Sequence, residues 1–246
     1  MPRNTPFRLA AVCALALSLA LAVTGSASAA GFKAELRVVG AGGKILAEKP
    51  IATATTKVKT SPKATCFGAG TGGSGDPVKI KGNTAMGLLA HASKTVAALS
   101  PLLISDHFDF GLALCGIGKS IAKGKASWYL KVNHESLEVG GDAAIIHPGD
   151  EVLWDLAPSY PYPDELVLEG PNTAKAGAPF KVRVFAYDEK GKSKPAAGVK
   201  VTGASEVTGK DGRTTVTLMK PARLIARAAG EIPSARLPVC IGSMCP

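Results

Sequence analysis

The sequence has few of the residues from which metal sites are built. It contains only 4 histidines among 246 residues, and no two of them are four residues apart. It also contains no Cys-x-x-Cys pair. Zinc sites commonly use one or both of these spacings. We therefore expect no metal site and no cofactor.

Complete catalytic motifs are also missing. Gly118-Lys119-Ser120 copies the end of a phosphate-binding loop, but Ala113 stands where G-x-x-x-x-G-K-S requires its first glycine. Ser74 lies between two glycines without completing G-x-S-x-G. Asp106-His107 and Asp109 could assemble an acid–base pair, but Asp109 falls on the polar face of a predicted strand. The sequence thus predicts a protein that is not an enzyme.

Only one long apolar run occurs, from Leu9 to Val23. Arg3 and Arg8 accompany it, and small residues follow it up to Ala29. This pattern is typical of a signal peptide covering residues 1–29. We expect no membrane span after its cleavage and a secreted, extracellular protein, either free or associated with the cell envelope.

The charge is unbalanced towards the basic side, with 29 Lys and Arg against 19 Asp and Glu. The excess lies in separate segments, including residues 57–63, 119–125 and 190–194, without interleaved aromatic residues that could stack on bases. We therefore expect no nucleic-acid partner. The basic residues either occupy solvated loops or attract the protein to an anionic envelope polymer.

Four cysteines follow the predicted cleavage site: Cys66, Cys115, Cys240 and Cys245. An even number of cysteines in an exported chain predicts disulfide bonds. Three connectivities are possible. Pairing Cys66 with Cys115 and Cys240 with Cys245 is the simplest, because each bridge then stays within one predicted domain.

Residues 30–157 have the pattern of an α+β domain. Extended segments are predicted at residues 34–39, 51–59, 108–114, 128–132 and 152–156. Between them, apolar residues from Ala85 to Leu99 recur at helical spacing, and Pro101 ends that segment. One main helix on a small mixed sheet is the architecture that this order favours.

A second domain is predicted beyond a Pro- and Tyr-rich linker at residues 158–163, because three prolines there favour an extended connection. Residues 164–246 carry short alternating strands separated by turns such as Asp188–Gly191 and Lys210–Gly212. This spacing predicts an all-β sandwich of the immunoglobulin type.

Two tryptophan motifs carry a resemblance to a known family. Ala126-Ser-Trp-Tyr-Leu-Lys-Val-Asn133 and Pro148-Gly-Asp-Glu-Val-Leu-Trp154, with the turn Gly82-Asn-Thr84 before the helix, resemble bacterial relatives of the transcobalamin C-terminal domain. The resemblance covers roughly residues 33–157 and implies a β-grasp-like module. His134 follows Asn133 where the family usually has glycine. From residue 164 the chain is similar to bacterial immunoglobulin-like surface modules.

The resemblance brings a corrinoid into consideration, because in the vertebrate carriers the related domain covers that ligand. The larger helical domain of those carriers has no counterpart in this sequence, so cobalamin binding does not follow directly. Aromatic residues and the motif turn are the candidate ligand-binding residues: Trp128, Asn133, His134, Trp154, Tyr160 and Tyr162. Both tryptophans could equally fill a core.

The sequence therefore predicts a secreted, non-enzymatic binding protein. Its ligand would be a small molecule such as a corrinoid, or an envelope polymer. The alternative is a structural or adhesive cell-surface spacer without a ligand pocket.

Overall fold

The computed structural model describes residues 31–246, so the predicted signal peptide at residues 1–29 lies outside the described residues. The N-terminal part, residues 31–157, contains ten strands and one α-helix. The strands are β1 (Lys33–Gly40), β2 (Lys44–Ala52), β3 (Thr56–Lys59), β4 (Pro77–Ile80), β5 (Leu102–Phe108), β6 (Gly111–Ile117), β7 (Ser120–Ile121), β8 (Ser127–Val132), β9 (Glu135–Ser136) and β10 (Glu151–Ala157). The helix is α1 (Ala85–Ala92), and single turns of 3₁₀ helix occur at Ala41–Gly43 and Ala97–Leu99.

The C-terminal part, residues 164–246, contains strands alone. They are β11 (Glu165–Glu169), β12 (Thr173–Ala174), β13 (Pro179–Tyr187), β14 (Ser193–Pro195), β15 (Lys200–Val201), β16 (Arg213–Thr217), β17 (Ala222–Leu224), β18 (Ala226–Arg227) and β19 (Leu237–Ile241). No helix among residues 31–246 is both long and apolar enough to cross a membrane.

The largest sheet has five strands in the order β2-β1-β10-β8-β9, with β1 parallel to β10 and the other pairs antiparallel. Successive residues of a strand point to opposite faces. Leu36 and Val38 pack into the first hydrophobic core, which also contains α1. Arg37 and Val39 are nevertheless buried as well. Both faces of the sheet are therefore covered by the rest of the protein.

The helix is shorter than the sequence predicts, and the predicted α+β fold is wrong. Thr84 caps α1, since its hydroxyl accepts a hydrogen bond from Gly87 N at 3.1 Å. The helix then ends at Ala92. The Ser93 hydroxyl donates to Ala90 O at 2.9 Å, a local bond of the kind that competes with helix continuation. Strands make up 45% of the structure and helices 6%, so this is a mostly β chain.

The C-terminal strands are divided among small sheets. β13 pairs with β11, β14 and β16, while β19 pairs with β12 and β17, and β15 pairs with β18. Together they enclose a second hydrophobic core. The predicted combination of a β-grasp-like α+β domain and an immunoglobulin-like sandwich is thus replaced by a mostly β chain with several small sheets.

A third, smaller cluster joins the two parts. Val39, Tyr129, Leu153 and Ala157 from the five-stranded sheet pack against Ile232 from the C-terminal part. Residues 31–246 accordingly form one compact unit. The predicted domain boundary at residues 158–163 stays a prediction.

Two disulfide bonds are present, Cys66–Cys115 and Cys240–Cys245, which confirms the prediction of disulfides. The first joins the loop after β3 to β6, and its cysteines are 49 residues apart. The second closes the C-terminal end over 5 residues. Both bonds are compatible with an extracellular protein.

We expect the two disulfides to contribute unequally to stability, because a longer closed loop restricts the unfolded chain more. Replacing Cys66 and Cys115 by serine should lower the free energy of unfolding by roughly 4 kcal/mol, against roughly 2 kcal/mol for Cys240 and Cys245. Chemical denaturation of both double variants measures the difference. Equal losses of unfolding free energy in the two double variants would contradict this prediction.

Candidate functional site

The aromatic residues of the chain are concentrated around one groove. The whole sequence contains 7 Phe, 2 Trp and 4 Tyr. Seven of these residues line a groove of about 280 Å³, here called the aromatic groove. They are Phe67, Phe108, Phe110, Trp128, Tyr129, Trp154 and Tyr162.

The rim of the groove is formed by three phenylalanines. Phe108 ends β5, Phe110 lies in the turn from β5 to β6, and their rings stack with centroids 5.0 Å apart. Phe67 meets Phe108 edge to face at 5.7 Å. Cys66 precedes Phe67 directly, so the bond to Cys115 ties this ring to β6. Phe110 and Phe67 remain largely exposed to solvent, at 83% and 59%.

The deeper part of the groove contains donors without partners. The ring nitrogens Nε1 of Trp128 and Trp154 and the hydroxyl of Tyr129 are buried and form no hydrogen bond with the described residues. Burial raises the pKa of Tyr129 to about 12, so its hydroxyl keeps its proton. A buried donor without an acceptor is costly and rare in proteins.

The six predicted ligand-binding residues fall into two groups. Trp128, Trp154 and Tyr162 line the aromatic groove. Tyr160 does not line the groove, but meets Tyr162 edge to face at 5.7 Å and is 75% exposed.

The sequence did not predict the three phenylalanines of the rim as ligand-binding residues. Phe110 stands in the turn Asp109-Phe110-Gly111, and an aromatic residue in a turn is the signal that could have revealed it.

Asn133 and His134, the other two predicted residues, form the turn between β8 and β9, away from the groove. Both have positive φ, 50° and 72°. The Asn133 amide accepts a hydrogen bond from Glu151 N at 2.9 Å and donates one to Asp150 at 2.9 Å. These bonds hold the turn without the glycine that usually suits such a conformation.

His134 belongs to a set of ionisable groups at the contact between the two parts, here called the junction cluster: Arg37, Lys131, His134, Glu151 and Glu165. Glu165, at the start of β11, is only 1% exposed. It pairs with the Arg37 guanidinium, its Oε1 lies 3.1 Å from His134 Nδ1, and its Oε2 lies 3.6 Å from Lys131 Nζ. One carboxylate therefore receives three cationic or proton-donating groups.

Arg37 and Lys131 form further bonds, most of them to the C-terminal part. Arg37 Nη1 donates to Pro233 O at 2.6 Å, and Nη2 also pairs with Glu151 at 2.8 Å. Lys131 Nζ donates to Tyr187 O at 3.0 Å and to Asp188 O at 2.9 Å. The cluster thus connects β1, β8 and β10 to the C-terminal part.

The pKa values in the cluster follow from burial and pairing. Burial alone would raise the pKa of Glu165, but the His134 hydrogen bond and the Arg37 charge outweigh it, so this pKa lies below its usual value. Glu165 in turn raises the pKa of His134. Burial lowers the pKa of Lys131, and the nearby Glu165 opposes that effect. Glu165 is therefore ionised in the folded protein.

The junction cluster also has the composition of a metal site, because His134, Glu151 and Glu165 offer ligand atoms within 4.8 Å of one another. Arg37, however, already pairs with both carboxylates, and Lys131 lies beside Glu165. A metal ion placed there would face two fixed positive charges. The geometry favours an ion-pair network over a metal centre.

Comparisons of the chain with protein-family models, curated proteins and solved structures found no match. The resemblance to the transcobalamin C-terminal domain therefore stays a prediction, and the functional argument rests on the groove itself.

Breaking the junction cluster should be strongly destabilising. Glu165→Gln leaves Lys131 buried without its anion and Arg37 with Glu151 alone, and removal of one partner from a buried pair typically costs about 3–5 kcal/mol. Asp211→Asn, which removes the exposed partner of Arg213, is the control and should cost less than about 1 kcal/mol. Urea denaturation of both variants gives the two values. A loss below about 1 kcal/mol for Glu165→Gln would contradict the proposed importance of the cluster.

The raised pKa of His134 predicts a pH-dependent contribution to stability. Protonated His134 stabilises the fold below its unfolded pKa of about 6.5, and this contribution is lost as pH rises through the higher folded pKa. His134→Asn tolerates the positive φ but cannot titrate. The stability difference between wild type and this variant should therefore shrink on going from pH 6 to pH 8.5. Thermal unfolding across that range tests it, and a constant difference would disprove it.

Proposed function

We propose that this protein is an exported, non-enzymatic binding protein whose ligand occupies the aromatic groove. The observation that carries the proposal is the concentration of seven aromatic residues around one groove in a chain with only 5% aromatic residues. Phe67 and Phe110 remain mostly exposed there. Exposed apolar area contributes nothing to folding, since burial is what yields about 25 cal/mol per Å². Clustered exposed apolar side chains are instead typical of binding sites.

The lining argues for binding over catalysis. Among residues 31–246, those that line the groove include no carboxylate, histidine, lysine or arginine side chain. Ser136 is its only aliphatic hydroxyl, and no base accompanies it in the lining. Acid–base or nucleophilic chemistry needs such a group within hydrogen-bond reach. The lining supports recognition of an apolar ring.

The size of the groove and the chemistry of its lining restrict which class of ligand can bind there. Its volume of about 280 Å³ lies near the lower end of small-molecule sites, roughly 300–1,000 Å³. The lining is almost wholly apolar and rich in aromatic rings. We therefore propose a small molecule with one or two flat rings. A corrinoid or a polymer could place only part of itself in this groove.

Export is part of the proposal. Two disulfides hold the described part of the chain, and disulfides persist in oxidising compartments. The pattern of a signal peptide in residues 1–29 supports the same location.

Tryptophan fluorescence tests the proposal, because both tryptophans of the chain line the groove. The probes are 1-anilinonaphthalene-8-sulfonate, indole-3-acetate and short oligosaccharides, titrated into the oxidised protein. Phe110→Ala should weaken the best probe by at least about fivefold, equivalent to roughly 1 kcal/mol, without altering thermal unfolding. The loss reflects the stacking surface that Phe110 provides.

Met219→Ala is the matched control, because Met219 is 76% exposed and does not line the groove. It should leave the affinity unchanged. Equal loss in both variants, or no fluorescence change with any probe, would favour a structural or adhesive spacer without a ligand site.

A further inference from the structure

A second cavity lies at the contact between the N-terminal and C-terminal parts. Its volume is about 440 Å³, and it is here called the acidic cavity. The turn between β1 and β2, the end of β10 and residues 227–233 form its walls. Apolar residues make up much of the lining, namely Leu156, Pro158, Pro163, Ala228, Ala229 and Pro233. Two carboxyl groups interrupt this apolar surface.

Asp155 is the more deeply buried of these two groups. It lies on β10, is 5% exposed and lines the cavity. Its side chain forms no hydrogen bond or ion pair with any residue that the structure describes. Burial raises the pKa of Asp155 to about 7, the nearby Arg37 charge lowers it, and Glu165 raises it further. Such a carboxyl is costly to ionise unless a positive charge is supplied.

Glu231 is the second carboxyl of the lining. Its Oε2 is buried and has no hydrogen-bond partner among residues 31–246. Burial and the neighbouring Asp164 raise the pKa of Glu231. Lys194, whose charge lowers the pKa of Glu231, is itself engaged by Asp164 at 2.8 Å. Glu231 is therefore left without an ion-pair partner in the described part of the chain.

The one basic residue of the lining does not neutralise either acid. Arg227 donates through Nη1 to Gly43 O at 2.9 Å. It forms no ion pair within 4.0 Å with Asp155 or Glu231. The acidic cavity thus differs from the junction cluster, where one carboxylate has three partners.

We propose that the acidic cavity binds a small organic cation, with its ammonium or amidinium group paired to Asp155 and with Glu231 adding negative charge to the lining. The hydrocarbon part of the ligand would pack against the proline and alanine walls. A metal ion fits less well, because hard cations take six or more oxygen ligands. No group of three or more metal-ligating side chains occurs in this cavity among the described residues. The proposal is independent of the aromatic groove.

Calorimetric titration of the oxidised protein with cyclohexylammonium and benzamidinium tests the site, with cyclohexanol as the neutral counterpart. We expect both cations to bind and cyclohexanol not to bind. Affinity should rise about tenfold from pH 6 to pH 8, because the Asp155 carboxyl must lose its proton to pair with a cation. Absence of binding by both cations at pH 8, or equal binding of cyclohexanol, would overturn the proposal.

Three variants locate the binding. Asp155→Asn should abolish binding of the cations and their pH dependence, and Glu231→Gln should weaken it at least fivefold. Glu169→Gln removes an exposed carboxylate outside the cavity and should bind as the wild type does. Unchanged affinity in Asp155→Asn would overturn the proposal. Phe110→Ala should have no effect, so failure of this site and failure of the aromatic groove are distinguishable.

The folding of Asp155→Asn provides a separate readout. A carboxyl whose folded pKa is raised from 3.8 to about 7 destabilises the fold increasingly as pH rises between those values. Without ligand, Asp155→Asn should therefore unfold at a higher temperature than the wild type at pH 8, with a smaller difference at pH 4.5. A variant that is less stable at pH 8 would show that Asp155 already has a partner in the protein and would overturn the proposal.

Discussion

The buried pairing of Glu165 with Arg37 is the contact on which the remaining architecture depends. Arg37, Lys131 and Asp155 are buried on the face of the five-stranded sheet that turns away from the helix. Water would solvate this face in an isolated sheet. The Glu165 carboxylate pairs with Arg37 and Lys131, and this pairing allows the C-terminal part to cover the face. The third core cluster, which packs Ile232 on Tyr129 and Leu153, forms around that contact.

Both proposed sites form because the C-terminal part covers this face of the five-stranded sheet. Tyr162 follows β10 and stacks on Tyr129 with ring centroids 4.0 Å apart, which closes one end of the aromatic groove. The segment 227–233 lies over the end of β10 and closes the acidic cavity. The two sites share no lining residue. Their chemistry is opposite, since one is uncharged and aromatic while the other holds carboxyl groups in an apolar wall.

Local signals predicted part of this structure. The start of α1 at Ala85 follows from the helical spacing of apolar residues, the strands of the tryptophan motifs from alternation, and the disulfides from cysteine number. The fold class was wrong because the apolar spacing from Ala85 to Leu99 continues through a turn that the hydroxyls of Ser93 and Thr95 stabilise. Trp128 and Trp154 were recognisable as candidates. Phe67 was not, because only the Cys66–Cys115 bond brings it to the groove.

The burial of Arg37, Lys131 and Asp155 could not be read from the sequence, since a polar residue in an alternating strand ordinarily faces water. Their different surroundings give the strongest physical argument for a second ligand. Arg37 uses both terminal nitrogens for Pro233, Glu151 and Glu165, and Lys131 is held by two carbonyl oxygens and Glu165. Arg37 lowers the pKa of Asp155 but forms no hydrogen bond or ion pair with it. A carboxyl group that is buried beside two cations engaged elsewhere, yet opens to a cavity, is completed in our proposal by a charge from outside the chain.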